Sequence, residues 1–154
     1  MRIPVLALVF SLAGSIGSFA TDVPPPFKVT ARYLTNLALV VPKQTSNEQL
    51  KTLVLTLQKA RRENKLGQIL PPTTPGGSKG SYGIVVVYVY SEPEWATVAA
   101  LQKCINVPAD TVLAVECDRH IRAYYFYTSL TGEEEGSVGY AEGKVRTKDY
   151  QKLF

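Results

Sequence analysis

Between Leu37 and Tyr90 the chain sets one capped amphipathic helix between two unbroken apolar runs of strand length. That order restricts the folds open to it. The first run, Leu37-Ala38-Leu39-Val40-Val41, is apolar at every position and is ended by Pro42. Continuous apolar character suits a strand covered on both faces or set beside a helix layer. Ser46-Asn47-Glu48-Gln49 then has the form of a capping box, with Ser46 as N-cap and Gln49 reaching back. Leu50, Leu53, Val54, Leu57 and Ala60 follow at helical spacing, so one face of this helix is apolar. Gly67 stops it. The second run, Tyr82 to Tyr90, is the most strand-like segment of the chain, rich in β-branched and aromatic residues. Strand, helix and strand in this order imply a parallel pair joined by a right-handed crossover.

The rest of the chain extends this unit. Phe27 to Val41 reads as strand interrupted near Thr35-Asn36. Ser91-Glu92-Pro93-Glu94 reads as a second capping box, opening a helix that runs through Trp95, Val98 and Leu101 to Cys104. Glu92 and Glu94 then occupy a first turn, where the helix dipole favours negative charge. Thr111 to Glu116 is short and apolar, and fits strand or helix equally. His120 to Tyr127 reads as a strand. A polar turn carrying Glu133, Glu134 and Glu135 follows, and Ser137 to Ala141 returns. The order β-α-β-α-β-β predicts an α+β fold with an α/β-like order: a two-layer sandwich whose mixed sheet carries two helices mainly on one face and a C-terminal hairpin. Pro71 to Ser81 has no apolar anchor and reads as an exposed loop, a tolerated insertion in preference to a lid. Its Gly-Gly-Ser-Lys-Gly-Ser fails as a phosphate loop, because a strand and not a helix follows it.

The N-terminus has another character. Met1-Arg2 precedes a short apolar run from Ile3 to Ala13, and small residues at Ser18 and Ala20 end the segment. A charged start, a short apolar stretch and a small-x-small site together describe an export signal, with cleavage after Ala20. The apolar run is too short to span a bilayer, which takes about 20 such residues. Residues 21–26 form a Pro-rich extended leader, and 27–154 are expected to make one globular domain. The hydrophobic share of 45% is that of globular proteins. An oxidising destination makes Cys104 and Cys117, the only two cysteines, a disulfide pair. Closing a loop of about 14 residues is worth roughly 3 kcal/mol. The expected location is the periplasm or the extracellular medium, and no later segment reaches membrane-spanning length.

Composition argues against several functions. The formal net charge of +4 is mild, and Arg2 leaves with the export signal, so a nucleic-acid partner is not expected. Lys59, Arg61, Arg62 and Lys65 crowd the end of the first helix, where cations are favoured and solvated, although the cluster also offers a surface for anions. His120 is the only histidine, so a three-ligand zinc site is not expected, and neither metal nor cofactor is implied. A Ser-His-Asp or Cys-His enzyme would have to use His120, yet no Gly-x-Ser-x-Gly elbow supplies a nucleophile. Glu133 to Glu135 lack the pattern of a calcium loop and read as a solvated turn.

Side chains alternate faces along a strand. Alternation therefore places His120, Arg122 and Tyr124 on one side and Ile121, Ala123 and Tyr125 on the other. If the Tyr88 and Tyr90 side of the preceding strand coincides with the first set, then Tyr88, Tyr90, His120, Arg122 and Tyr124 make one patch, bordered by Tyr140. Tyr and Arg are the residues of binding hot spots. The expectation is a small exported, non-catalytic binding or interaction module of the bacterial cell envelope, meeting an envelope protein or a small ligand. The alternatives are a hydrolase-like enzyme centred on His120 and a self-associating structural subunit.

Overall fold

The computed structural model describes residues 23–75, 80–109, 111–143 and 145–154. The expected export signal lies outside the described residues. Two antiparallel strands, β1 (Lys28–Tyr33) and β2 (Asn36–Val40), open the fold. Their tight connection holds Leu34 at φ 54°, and Asn36 Nδ2 donates to the Tyr33 carbonyl at 3.2 Å. The break anticipated at Thr35-Asn36 is this turn.

Helix α1 (Asn47–Arg62) carries the expected capping box. Ser46 Oγ accepts from the Gln49 amide at 3.2 Å, and Gln49 Oε1 accepts from the Ser46 amide at 2.9 Å. The helix crosses to β3 (Ile84–Tyr90), which runs parallel to β2 with Leu37 opposite Val87 and Leu39 opposite Val89. Leu50, Leu53, Val54 and Leu57 are fully buried on a surface built from Leu37, Leu39, Val85, Val87 and Val89. Each such side chain contributes about 2 kcal/mol on burial.

The second half departs from a repeated crossover. Two short helices, α2 (Val98–Ile105) and α3 (Val112–Arg119), lie between β3 and β4 (Ala123–Thr128), and β4 is antiparallel to β3. A single helix carries the chain to the far end of the sheet, whereas a pair of short helices brings it back to the end it left. The Arg122 amide accordingly reaches the Val89 carbonyl at 2.7 Å. A tight turn leads to β5 (Glu134–Val138), then a two-stranded ribbon of β6 (Ala141–Glu142) and β7 (Val145–Arg146), and finally β8 (Gln151–Lys152) against β5. The six-stranded sheet runs β1-β2-β3-β4-β5-β8, with β2 and β3 its one parallel pair.

The α+β class, the mixed sheet and the terminal hairpin match the expectation. Differences of placement have local causes. α1 covers one face of the sheet with the main core, while α2 brings Leu101 onto the other face beside Ala38, Tyr90 and Ile121. Ser91 is not a helix cap, because Pro93–Trp95 makes one 3₁₀ turn and the buried Ala96 breaks the path. Thr97 caps α2 instead, accepting from the Ala100 amide at 3.1 Å. Thr111 caps α3 in the same way at Ala114, which settles that segment as helix. The described ends of the 71–81 loop are also tied down. Thr73 is only 2% exposed and donates its hydroxyl to the Ile84 carbonyl at 2.6 Å, so this part is not a free excursion.

The acids and bases near α1 are not all solvated, as their clustering suggested. Glu134 lies in β5 with its side chain 10% exposed, and accepts from Arg61 Nη2 at 2.7 Å and Arg61 Nε at 3.0 Å. The Tyr125 hydroxyl donates to the same carboxylate at 2.9 Å, Arg62 reaches it at 3.3 Å, and the Arg61 guanidinium stacks 4.4 Å over the Tyr127 ring. Burial alone would raise the Glu134 pKa, but the bonds from Arg61, Tyr125 and Gln58 hold it below the usual carboxylate range. The stability this gives is present above the unfolded carboxylate pKa and is lost as pH falls through the lower folded value. Arg61→Ala should cost about 2 kcal/mol at neutral pH, read as a lower urea midpoint. The loss should shrink as pH falls through the lowered native value of Glu134, where the carboxylate becomes protonated in both proteins.

Candidate functional site

Strand alternation on β3 sends Val85, Val87 and Val89 to the α1 face and Tyr88 and Tyr90 to the other. The β4 register sets Tyr124 directly opposite Tyr88. Gly139, at φ +67°, turns the chain out of β5 and delivers Tyr140 beside them. A Cβ at Gly139 would meet the Tyr150 Cα at 2.9 Å, so the turn needs glycine. The ring centroids of Tyr124 and Tyr140 are 5.1 Å apart, those of Tyr88 and Tyr124 5.5 Å, and those of Tyr88 and Tyr140 6.1 Å. Tilted and edge-on packing at these distances makes a rigid aromatic floor.

Helices α2 and α3 stand over one side of this floor. The Cys104–Cys117 disulfide joins them, with the two Cα atoms 5.9 Å apart. A cavity of about 320 Å³ lies between the tyrosines and the helix pair, walled by apolar side chains such as Leu101, Ile105 and Ala114. Two carboxylates also line it, Asp118 from α3 and Glu142 from β6. Glu142 accepts from the Tyr140 hydroxyl at 2.9 Å. Asp118 makes no ion pair and no side-chain hydrogen bond among the described residues.

The electrostatics follow from this geometry. Burial first, and then the charge of Glu142, pushes the Asp118 carboxyl up to about 6. Burial, with the charges of Glu142 and Asp118 behind it, pushes the Tyr88 phenol up to about 12. Tyr90, Tyr124 and Tyr140 are raised as well, in each case chiefly by burial. The phenols therefore stay neutral in a site whose charges are negative.

Of the five residues expected to form one patch, Tyr88, Tyr90 and Tyr124 line the cavity together, with Tyr140. His120 and Arg122 do not line it. The alternation extended back to residue 120 fails because β4 begins at Ala123, and His120 is the C-cap of α3. His120 stacks on Trp95 with centroids 4.1 Å apart, its Nδ1 2.6 Å from Glu92 and its Nε2 3.3 Å from Glu116. Glu92 is thus a partner of the imidazole and not a helix-dipole residue. Arg122 donates to Ser91 Oγ at 2.6 Å and to the Thr45 carbonyl at 2.9 Å, tying the loops after β3 and before α1. Sequence reasoning missed Asp118 and Glu142. The usable signal for Asp118 was its place next to Cys117, since a bridged helix pair must face the sheet. No local signal marks Glu142.

The site can hold a ligand by ring faces, phenol hydroxyls and carboxylates. The described residues lining it include no serine, threonine, lysine or histidine, and both thiols are bridged. Among the described residues no three His, Cys, Asp or Glu side chains gather as a metal site. A second cavity, of about 270 Å³, lies beside Arg61, Arg62 and Tyr127, but both arginines already pair with Glu134.

Both Asp118 and His120 have raised pKa values, so stability falls with rising pH at each, but removing them has opposite effects. Asp118 has its folded pKa above the unfolded one, so its charge opposes folding above about pH 6 and the cost fades as pH falls through 6 toward 4. Asp118→Asn should raise stability by about 1 kcal/mol at neutral pH, a figure reduced for solvent screening, and by little near pH 4. For His120, burial lowers the pKa, but the bonds to Glu92 and Glu116 outweigh it and the net shift is upward. Its contribution is full below the unfolded histidine pKa and is lost as pH rises through the folded value. His120→Gln should therefore shift the urea midpoint more at about pH 5.5 than at about pH 8.5. Comparison with the known protein families, the curated proteins and the solved structures finds no match to this chain.

Proposed function

We propose that this protein is an exported, non-catalytic binding module of the cell envelope, and that it takes its ligand in the cavity between the tyrosine floor and the disulfide-tied helices. One observation carries the reading. A cavity of about 320 Å³, the scale of small-molecule sites, opens on an aromatic floor and is bordered by two carboxylates. Its walls are fixed by β-sheet pairing on one side and a disulfide on the other, so little ordering is needed on binding.

The disulfide fits a location outside the reducing cytosol, and no described helix is long and apolar enough to cross a membrane. Both facts agree with the export signal read in the first twenty residues. A hydrolase centred on His120 has less support, since both imidazole nitrogens already face carboxylates and the ring is stacked on Trp95.

Ala114 lines the cavity from α3, and a larger side chain there would fill it. A library of small metabolites, screened by thermal shift on the native protein and on Ala114→Phe, tests the proposal. The expected result is a ligand that raises the native midpoint progressively with the logarithm of its concentration above Kd and leaves Ala114→Phe unmoved. A ligand that stabilises both proteins equally would place the site elsewhere.

A further inference from the structure

We infer that the cavity takes a small organic cation, an ammonium group carried on an apolar body. This rests on the cavity being the binding site. A carboxylate set among apolar walls is costly unless it is paired, and in folded proteins such groups normally have a partner. Among the described residues Asp118 has none, and no described lysine, arginine or histidine lines the cavity with it. The basic side chains on its own helix end are engaged elsewhere: Arg119 reaches Glu116 at 3.6 Å, and His120 reaches Glu92 and Glu116. Glu142 adds a second negative charge at the rim without a cation of its own among the described residues.

The floor answers the same chemistry. Aromatic faces attract a desolvated cation through the ring quadrupole, and a quaternary or primary ammonium over several rings uses that attraction fully. Tyr88, Tyr124 and Tyr140 supply three rings within 6.1 Å of one another, and their neutral hydroxyls add hydrogen-bond acceptors. The apolar walls accept hydrocarbon, which a bare metal ion would not use, and two carboxylates are too few ligands for one. At about 30 Å³ per water, the volume equals on the order of ten waters, so the ligand has on the order of ten non-hydrogen atoms. An anion or a neutral sugar would leave Asp118 without its counter-charge.

Calorimetric titration of the native protein with benzyltrimethylammonium, benzyl alcohol and benzoate tests this. The expected result is saturable binding of the ammonium alone at millimolar concentration, weakened about tenfold by Asp118→Asn and abolished by Ala114→Phe. Asp118→Asn removes a destabilising charge, so it should fold at least as well as the native chain, and its circular dichroism checks this. Tighter binding of benzyl alcohol or benzoate, still blocked by Ala114→Phe, would overturn the cation and keep the cavity. So would ammonium binding that Asp118→Asn leaves unchanged but Ala114→Phe abolishes. Ammonium binding unaffected by Ala114→Phe, or no binding of any probe, would overturn both.

Discussion

The strict two-residue period of β3 governs this molecule. Its valines, Val85, Val87 and Val89, close the main core against α1, and its tyrosines, Tyr88 and Tyr90, are sent by the same pleat to the other face. Core and site thus share one backbone. A slip of one residue in the register with β2 or β4 would exchange the two sets, placing phenols under α1 and valines at the cavity. Parallel pairing on one side and antiparallel pairing on the other fix that register from both edges.

Around this strand the chain solves two burial problems differently. On the α1 face it uses a 16-residue helix with a continuous apolar stripe. On the other face it uses two 8-residue helices that are too short to be stable alone. Each has a threonine N-cap, and the disulfide lets them act as one body. Arg122 and His120 finish this arrangement from the start of β4 and the end of α3, each bridging segments far apart in sequence. Their polar tips point into loop junctions, which is where an isolated charge finds carbonyls and carboxylates.

Much of the fold was legible because its signals are local. The Ser46 cap, the α1 stripe, the β3 run and the cysteine pair each depend on residues a few positions apart. The helical identity of residues 111–119 was not legible, since a short apolar run has no period long enough to separate helix from strand. Ser91 misled for a related reason: Ser-x-Pro-Glu satisfies a capping pattern, yet Thr97 offered a competing cap a few residues on. The candidate site was read in part. Tyr88, Tyr90 and Tyr124 follow from alternation within true strands, while His120 and Arg122 were assigned by extending that alternation past the strand's beginning. Asp118 and Glu142 come from elements with no sequence relation to each other, and only the tertiary fold brings them to one cavity.

The stacking of Trp95 on His120 has a practical meaning. The chain has one tryptophan and one histidine, and they face each other at the point where the helix pair joins the sheet. Trp95 precedes α2 and His120 ends α3, so the stack joins the entry of the bridged helix pair to its exit. The emission of a single indole therefore reports on the packing of that junction, without an added label.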